Sequence, residues 1–309
     1  METIIPPVDK GLLVEELTKD KLLRKTNNAN NEIYIITNED SPHIMREIGR
    51  LRELTFRDAR GGTGKSIDID DYDLGENAFQ QMIVWDPSEQ AIVGGYRYIH
   101  CNNLKVVDGE VHSPTSRLFA YSQKFIDKYL PHTIELGRSF VQPEYQPSFN
   151  LRRGLFALDN LWDGIGALMI KHDDIKYLFG KVTMYPHFDG FARDMILFFM
   201  NKYFPDPGHL IWPRKPLEIK TETKILDSIF TGANYQEDYK TLVQKVRKLN
   251  ENVPPLVNAY MNLSSTMKCF GTSLNTHFGN VEETGILLTI NDIYHQKKER
   301  HVNTYHKPD

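Results

Sequence analysis

The residues Thr133-Ile134-Glu135-Leu136-Gly137-Arg138-Ser139-Phe140-Val141 open the stretch, running on to Tyr203, whose reading decides the fold. Their β-branched and aromatic content predicts a strand. Pro143 to Asn150 is rich in turn formers and predicts a loop. Leu151, Leu155, Leu158, Leu161, Ile165 and Leu168 recur at helical spacing, which predicts one helix from Leu151 to His172 with those six on its buried face. Leu178 to Met184 predicts a strand parallel to the first, and Phe188 to Tyr203 a helix ended by Pro205. Alternation of strand and helix points to a mixed α/β fold. Helix N-termini attract anions through free N–H groups and the helix dipole. Arg152, Arg153 and Gly154 therefore form a candidate phosphate cradle, with Gly154 permitting close backbone approach. A solvated turn of an ordinary βαβ unit fits the same residues.

Upstream, residues 1–31 read as an arm, helical from Leu12 to Leu23 and ending in an Asn-rich link. Glu32 to Thr37 reads as a strand. Asp40 or Ser41 can cap a helix carrying Ile44, Ile48, Leu51 and Leu54 at helical spacing. Residues 59–78 are glycine-rich, then acidic, and read as a loop. Gln81 to Trp85 and Ala91 to Ile99 alternate as paired strands around the turn Asp86-Pro87-Ser88. Downstream, 205–250 reads as an insertion with a helix from Tyr235 to Asn250, Ile286 to Ile290 as a late strand, and 293–309 as a tail. The principal domain is expected over 32–292.

Composition narrows the function classes. Of 309 residues, 40% are hydrophobic and 25% charged, which excludes wholesale disorder. The net charge of −4 argues against a nucleic-acid partner. Two cysteines exclude a disulfide framework and fit a reducing compartment. No apolar run approaches the ~20 residues that span a bilayer, and the acidic, proline-bearing N-terminus does not read as a signal peptide. The expected location is cytoplasmic, with room for peripheral contact on a membrane's inner face. The segment Ala59-Arg60-Gly61-Gly62-Thr63-Gly64-Lys65-Ser66 ends like a P-loop, but a helical pattern precedes it and an acidic run follows it. A P-loop needs a strand before and a helix after. That acidic run lacks the spacing of a calcium loop and reads as solvated. No residue pattern points to a metal site.

The pieces Arg52-Glu53-Leu54-Thr55-Phe56, Asp70-Asp71-Tyr72-Asp73, Val93-Gly94-Gly95-Tyr96-Arg97 and Glu135-x-x-Arg138, followed by Val253-Pro254-Pro255-Leu256-Val257-Asn258-Ala259-Tyr260, occur in this order. Together they resemble the ornithine-lipid and glycine-lipid N-acyltransferases of the GNAT superfamily, relatives of the acyl-homoserine-lactone synthases. The resemblance spans about residues 32–292. It implies a central mixed sheet flanked by helices, with two parallel strands splayed to admit a pantetheine arm. It implies transfer of a long, 3-hydroxylated acyl group from acyl carrier protein, or from acyl-coenzyme A, to the amine of an amino acid. The acyl-phosphopantetheine thioester is then a co-substrate and no tightly bound cofactor is expected. At the phosphate turn Leu151 stands where the superfamily usually has arginine or glutamine, which leaves room for a carrier's phosphopantetheine.

The chemistry the resemblance implies needs a base for the attacking amine and a donor for the thioester oxygen. Glu135 is the candidate base, and a backbone N–H at Phe140 or Val141 the candidate donor. Arg52, Arg97 and Arg138 could converge on the acceptor's carboxylate or the donor's phosphate. Asp70 and Asp73 could hold those arginines or meet the acceptor's ammonium, and Phe56 could wall the acyl pocket. Glu135 and Arg138 lie three apart, so on an ideal strand they face opposite sides, and a direct pair between them needs a bulge. An autoinducer synthase, an acetyl-coenzyme A enzyme and a non-catalytic carrier-binding module remain alternatives.

Overall fold

In the computed structural model, which describes residues 1–75, 77–232 and 234–305, the chain folds as two units. The first comprises 1–104, 132–176 and the C-terminal segment from Tyr294; the second comprises 105–131 and 177–293.

The first unit is built on an antiparallel sheet. Its strands run β1 (Leu22–Lys25), β2 (Glu32–Ile36), β3 (Gln80–Asp86), β4 (Ala91–His100), β5 (Thr133–Val141), each paired with the next. Residues read as a helical arm thus supply only a short helix α1 (Lys10–Glu16) and then the strand β1. Side chains alternate across the sheet. Gln81 and Arg97 are register partners on one face, and Met82 and Tyr96 on the other. The first face takes helix α2 (Pro42–Asp58), which buries Ile44, Ile48 and Leu51 with Arg52 and Glu53. Met82 and its neighbours meet helix α4 (Ala157–Lys171), where a Cβ on Gly164 would lie 2.5 Å from the Met82 sulfur. The C-terminal helix His295–His301 packs on α4, with the His301 carbonyl 2.2 Å from where a Cβ on Gly166 would be.

The single helix expected from Leu151 is in fact two. A four-residue turn α3 (Leu151–Gly154) precedes α4. Gly154 is buried against the preceding loop, and a Cβ there would fall 2.4 Å from the Pro147 nitrogen. The chain therefore bends at Gly154, and Leu151 and Leu155, expected in the core, are 72% and 61% exposed. Leu161, Ile165 and Leu168 are buried as the periodicity requires.

The second unit holds β6 (Tyr177–Met184), β7 (Lys268–Asn275) and β8 (Val281–Thr289), with β8 in the middle and antiparallel to both. Helix α5 (Gly190–Tyr203) starts at Asp189, whose carboxylate accepts from the N–H groups of Phe191 and Ala192 at 2.9 Å each. The residues read as an insertion include the strand Ile211–Pro213, paired with Phe119–Tyr121, and helix α6 (Tyr235–Lys248). Phe199 sits in an aromatic cluster with Tyr203, Phe230, Tyr235 and Tyr239. Met195 and Phe199 are wholly buried in this core. Among the described residues no helix is long and apolar enough to cross a membrane.

Candidate active site

The acidic run is anchored by apolar packing on α2. A Cβ on Gly49 would lie 2.6 Å from Ile67 Cγ1 and 2.7 Å from Ile69 Cγ1, so glycine is what lets this loop cross the helix closely. The Asp68 N–H donates to the Gly49 carbonyl at 3.0 Å. Asp68 and Asp73 are consequently 1% and 0% exposed, and the expectation of a solvated acidic loop fails for both.

Three aspartates of this run meet three arginines from three different elements. Arg52 of α2 is fully buried, lies 3.1 Å from Asp73 Oδ1 and donates to Gln81 Oε1 of β3. Arg97 of β4 donates to Asp70 at 2.7 Å and to Asp73 Oδ2 at 3.1 Å. Its guanidinium carbon stands 5.2 Å from the centroid of the Phe79 ring. Arg138 of β5 grips Asp68 through Nε at 2.9 Å and Nη2 at 3.1 Å, and approaches Asp70 at 3.7 Å. Burial alone would raise the Asp73 carboxyl, but the charges of Arg52 and Arg97 outweigh it and hold it well below the usual carboxylate range. Burial also opposes the Arg97 charge; Asp73 and Asp70 reverse that and raise its pKa. At Arg52 burial prevails over Asp73 and Asp68, and its pKa is lowered. A buried cluster of equal and opposite charges suits a rigid platform, because each side chain's loss of hydration is offset only with all its partners in place.

A bulge decides which way Arg138 points. Gly95 pairs with Phe140 and Arg97 with Gly137, so Tyr96 alone opposes both Arg138 and Ser139. Arg138 takes the left-handed conformation, with φ of 48°. The Val-Gly-Gly segment makes the approach of β4 to β5 possible: a Cβ on Gly94 would lie 2.4 Å from the Phe140 carbonyl oxygen. The extra residue turns Arg138 toward the α2 face. Glu135, opposite Ile99 and two residues from Gly137, already faces that way. Thus two residues that an ideal strand would separate share one face. Glu135 is 3% exposed. Burial, and then the Glu135 charge, push the Cys101 thiol well up.

Phe56 and Phe140 are buried, and Val141 half-buried. The Gln142 N–H donates to the Val93 carbonyl at 3.0 Å. Strand alternation therefore directs the Val141 N–H away from β4, whereas that of Phe140 points into the ladder. Glycine at 154 is accounted for by the Pro147 backbone. The side chains of Arg152 and Arg153 lie outside the described residues.

The P-loop look-alike resolves into protein chemistry. Glu53, buried on α2, accepts from the N–H groups of Thr63 at 3.0 Å and Gly64 at 2.8 Å, from the Thr63 hydroxyl at 2.7 Å, and from Arg57. A carboxylate of the chain itself occupies the cradle. Sequence reasoning missed Asp68 and Gln81. Gln81 carried a weak signal, the second of two glutamines heading the apolar run Met82-Ile83-Val84-Trp85, and buried polar groups are the informative exceptions. Asp68 carried none beyond membership of the acidic run.

Glu135 and Arg138 thus share one helix-covered face, with the arginine–aspartate cluster against Arg138. Residues 51–153, which include every member of the cluster, match the acetyltransferase (GNAT) domain family. Over 308 residues the chain is 53% identical to the glycine N(alpha)-acyltransferase of Phocaeicola vulgatus, covering 99% of this chain and 94% of that one. It is 52% identical to the glycine N(alpha)-acyltransferase of Bacteroides thetaiotaomicron over 306 residues, 99% of this chain and 91% of the other. The chain belongs to this family of GNAT N-acyltransferases and is an acyltransferase enzyme. Among solved structures, the AHL synthase LasI matches 90% of this chain and 98% of its own, with 13% identity and a TM-score of 0.42.

Proposed function

We propose that this enzyme transfers a long-chain 3-hydroxyacyl group from the phosphopantetheine thioester of acyl carrier protein to the amine of glycine, giving a lyso-aminolipid. The observation that carries this reading is the 53% identity, along 99% of the chain, to a protein named glycine N(alpha)-acyltransferase. The acceptor follows from the relatives' names, and the chain length and carrier from the family resemblance.

In the proposed reaction the neutral glycine nitrogen attacks the thioester carbonyl. A C–N bond forms, the C–S bond breaks, and the nitrogen gives up a proton. Glu135 receives it, directly or through one water. The sulfur leaves as a thiolate and takes up a proton to become the free pantetheine thiol. The Val141 N–H, turned out of the β4 ladder, donates to the oxyanion that develops on the carbonyl, a role typically worth a few kcal/mol. Arg138, whose side chain is 16% exposed while those of Arg52 and Arg97 are 0% and 3%, takes the glycine carboxylate. Arg52, Arg97, Asp70 and Asp73 form the rigid backing, and Phe56 and Phe140 wall the acyl group. Arg152 and Arg153 receive the donor's phosphate, while Gly154, expected to join them, is buried against Pro147 with its N–H bonded to the Asn150 carbonyl and serves the turn instead.

Glu135→Gln tests the base. We expect kcat to fall by about 10²-fold or more, with the melting temperature little changed. An unchanged kcat removes Glu135 from the mechanism.

A further inference from the structure

The N-terminal arm lies along α2 from one end of that helix to the other. Glu16 of α1 takes the N–H groups of His43 and Ile44, in the first turn of α2, at 3.0 and 2.9 Å. The Val8 N–H donates to Glu47 at 3.1 Å. Near the far end of α2, the Glu2 carbonyl accepts from Arg57 Nη1 at 2.7 Å. Pro6 and Pro7 stiffen the stretch between. The arm's first residues then reach past the helix to the loop that leads into the acidic run. The Glu2 N–H donates to the Gly64 carbonyl at 2.8 Å, and the Ile5 N–H to the Ser66 carbonyl at 3.1 Å. The Ser66 N–H returns a bond to the Glu2 carboxylate at 2.7 Å. Arg57, anchored on the buried Glu53, also donates to the Lys65 carbonyl at 2.6 Å.

These contacts stop two residues short of Asp68. The loop they hold carries Gly62 and Gly64 at φ of 88° and 76°. Glycine gives up more conformational freedom on ordering than any other residue, so a loop of this kind needs ties along it to keep one course. Glu53 ties its start and the arm ties its end. Ile67 and Ile69 then pack on Gly49, and Asp68 grips Arg138 at two points. We propose that the arm segment Glu2–Ile5 is a positioning element for acceptor binding: by pinning Gly64 and Ser66 it sets where Asp68 holds the Arg138 guanidinium. This rests on the reading that Arg138 takes the acceptor's carboxylate. Glu2 is then a positioning residue acting through Ser66, Asp68 and Arg138. A guanidinium that must meet a carboxylate in fork geometry is sensitive to small displacements, so loosening the arm should be felt in acceptor binding before stability.

Steady-state kinetics on the full chain tests this. The variant Glu2→Ala/Ile5→Pro loses the carboxylate and the N–H given to Ser66. It is compared with wild type, with Asp68→Asn and with the combination of all three, using glycine or whichever amino acid wild type acylates best. We expect the arm variant to raise KM for the acceptor about fivefold, with kcat, the donor's KM and the melting temperature little changed. In the Asp68→Asn background the same two substitutions should add less than about twofold, because sites that act through one another are not additive. Glu2→Ala alone, which keeps the backbone pairs, should shift the acceptor's KM in the same direction by a smaller factor. An unchanged acceptor KM in the arm variant overturns the proposal. So does the same multiplication of KM in both backgrounds, or a fall of all kinetic parameters together. If Asp68→Asn itself leaves the acceptor's KM unchanged, the reading of Arg138 fails and the arm's role with it. If Asp68→Asn raises that KM and the arm variant does not, the arm proposal alone fails.

Discussion

Asp73 is the residue whose charge state matters most to the fold, because two buried arginines depend on it. Removing one partner of a buried ion pair typically costs 3–5 kcal/mol. Asp73→Asn is therefore expected to lose about that much stability at neutral pH, as urea denaturation would measure. The pH dependence follows from the depressed folded pKa. An unfolded aspartate titrates near 3.9, so the stabilisation is fully present above about pH 5 and is lost as pH falls toward the lower folded value. Thermal melts between pH 2 and pH 6 should show wild type losing stability over this window and Asp73→Asn losing less. Equal slopes would mean that Asp73 does not carry its charge into the folded state.

Asp68 acts at the same scale through Arg138. Its carboxylate fixes the guanidinium at two points. If Arg138 holds the acceptor's carboxylate, Asp68→Asn should raise KM for glycine about tenfold while changing kcat and the donor's KM much less. A merely structural role would lower all parameters together. Neither the burial nor the pairing of Asp68 can be read from the sequence, because both depend on Gly49 admitting Ile67 and Ile69 on a different element.

Among elements, the pairing of β4 with β5 makes the site. Gly94→Ala would place a methyl group 2.4 Å from the Phe140 carbonyl oxygen. Such overpacking typically costs 1–3 kcal/mol, and here relief requires the two strands to part. We expect a drop in melting temperature together with a loss of activity larger than for the exposed-site variant Leu155→Ser. Retained activity would show that the bulge tolerates a wider gap. The sequence announced these strands well: alternation placed β3, β4 and their turn almost to the residue, and helical spacing found α2. It also showed that Glu135 and Arg138 could share a face only through a bulge. Whether the bulge exists was not legible, since it depends on backbone approach at Gly94 and Gly95 rather than on any pattern in β5. The helix expected through Leu151 failed for a similar reason. The leucine spacing is real, but the Gln146–Pro147 backbone packs against Gly154 and turns the chain there.

At the scale of the whole molecule, the ordered set of short motifs carried more than any one of them. Arg52, Asp70, Asp73, Arg97 and Arg138 are 86 residues apart along the chain at the extremes, counted from 52 to 138, and fold into one connected cluster within a single unit. The most direct measurement is product analysis by mass spectrometry. The purified enzyme is given a 3-hydroxyacyl carrier protein, the matching acyl-coenzyme A or acetyl-coenzyme A, with glycine or each of a panel of other amino acids. We expect N-(3-hydroxyacyl)glycine as the dominant product, formed fastest from the carrier protein. Acetylation alone, or a long-chain product on another amino acid with glycine inert, would contradict it.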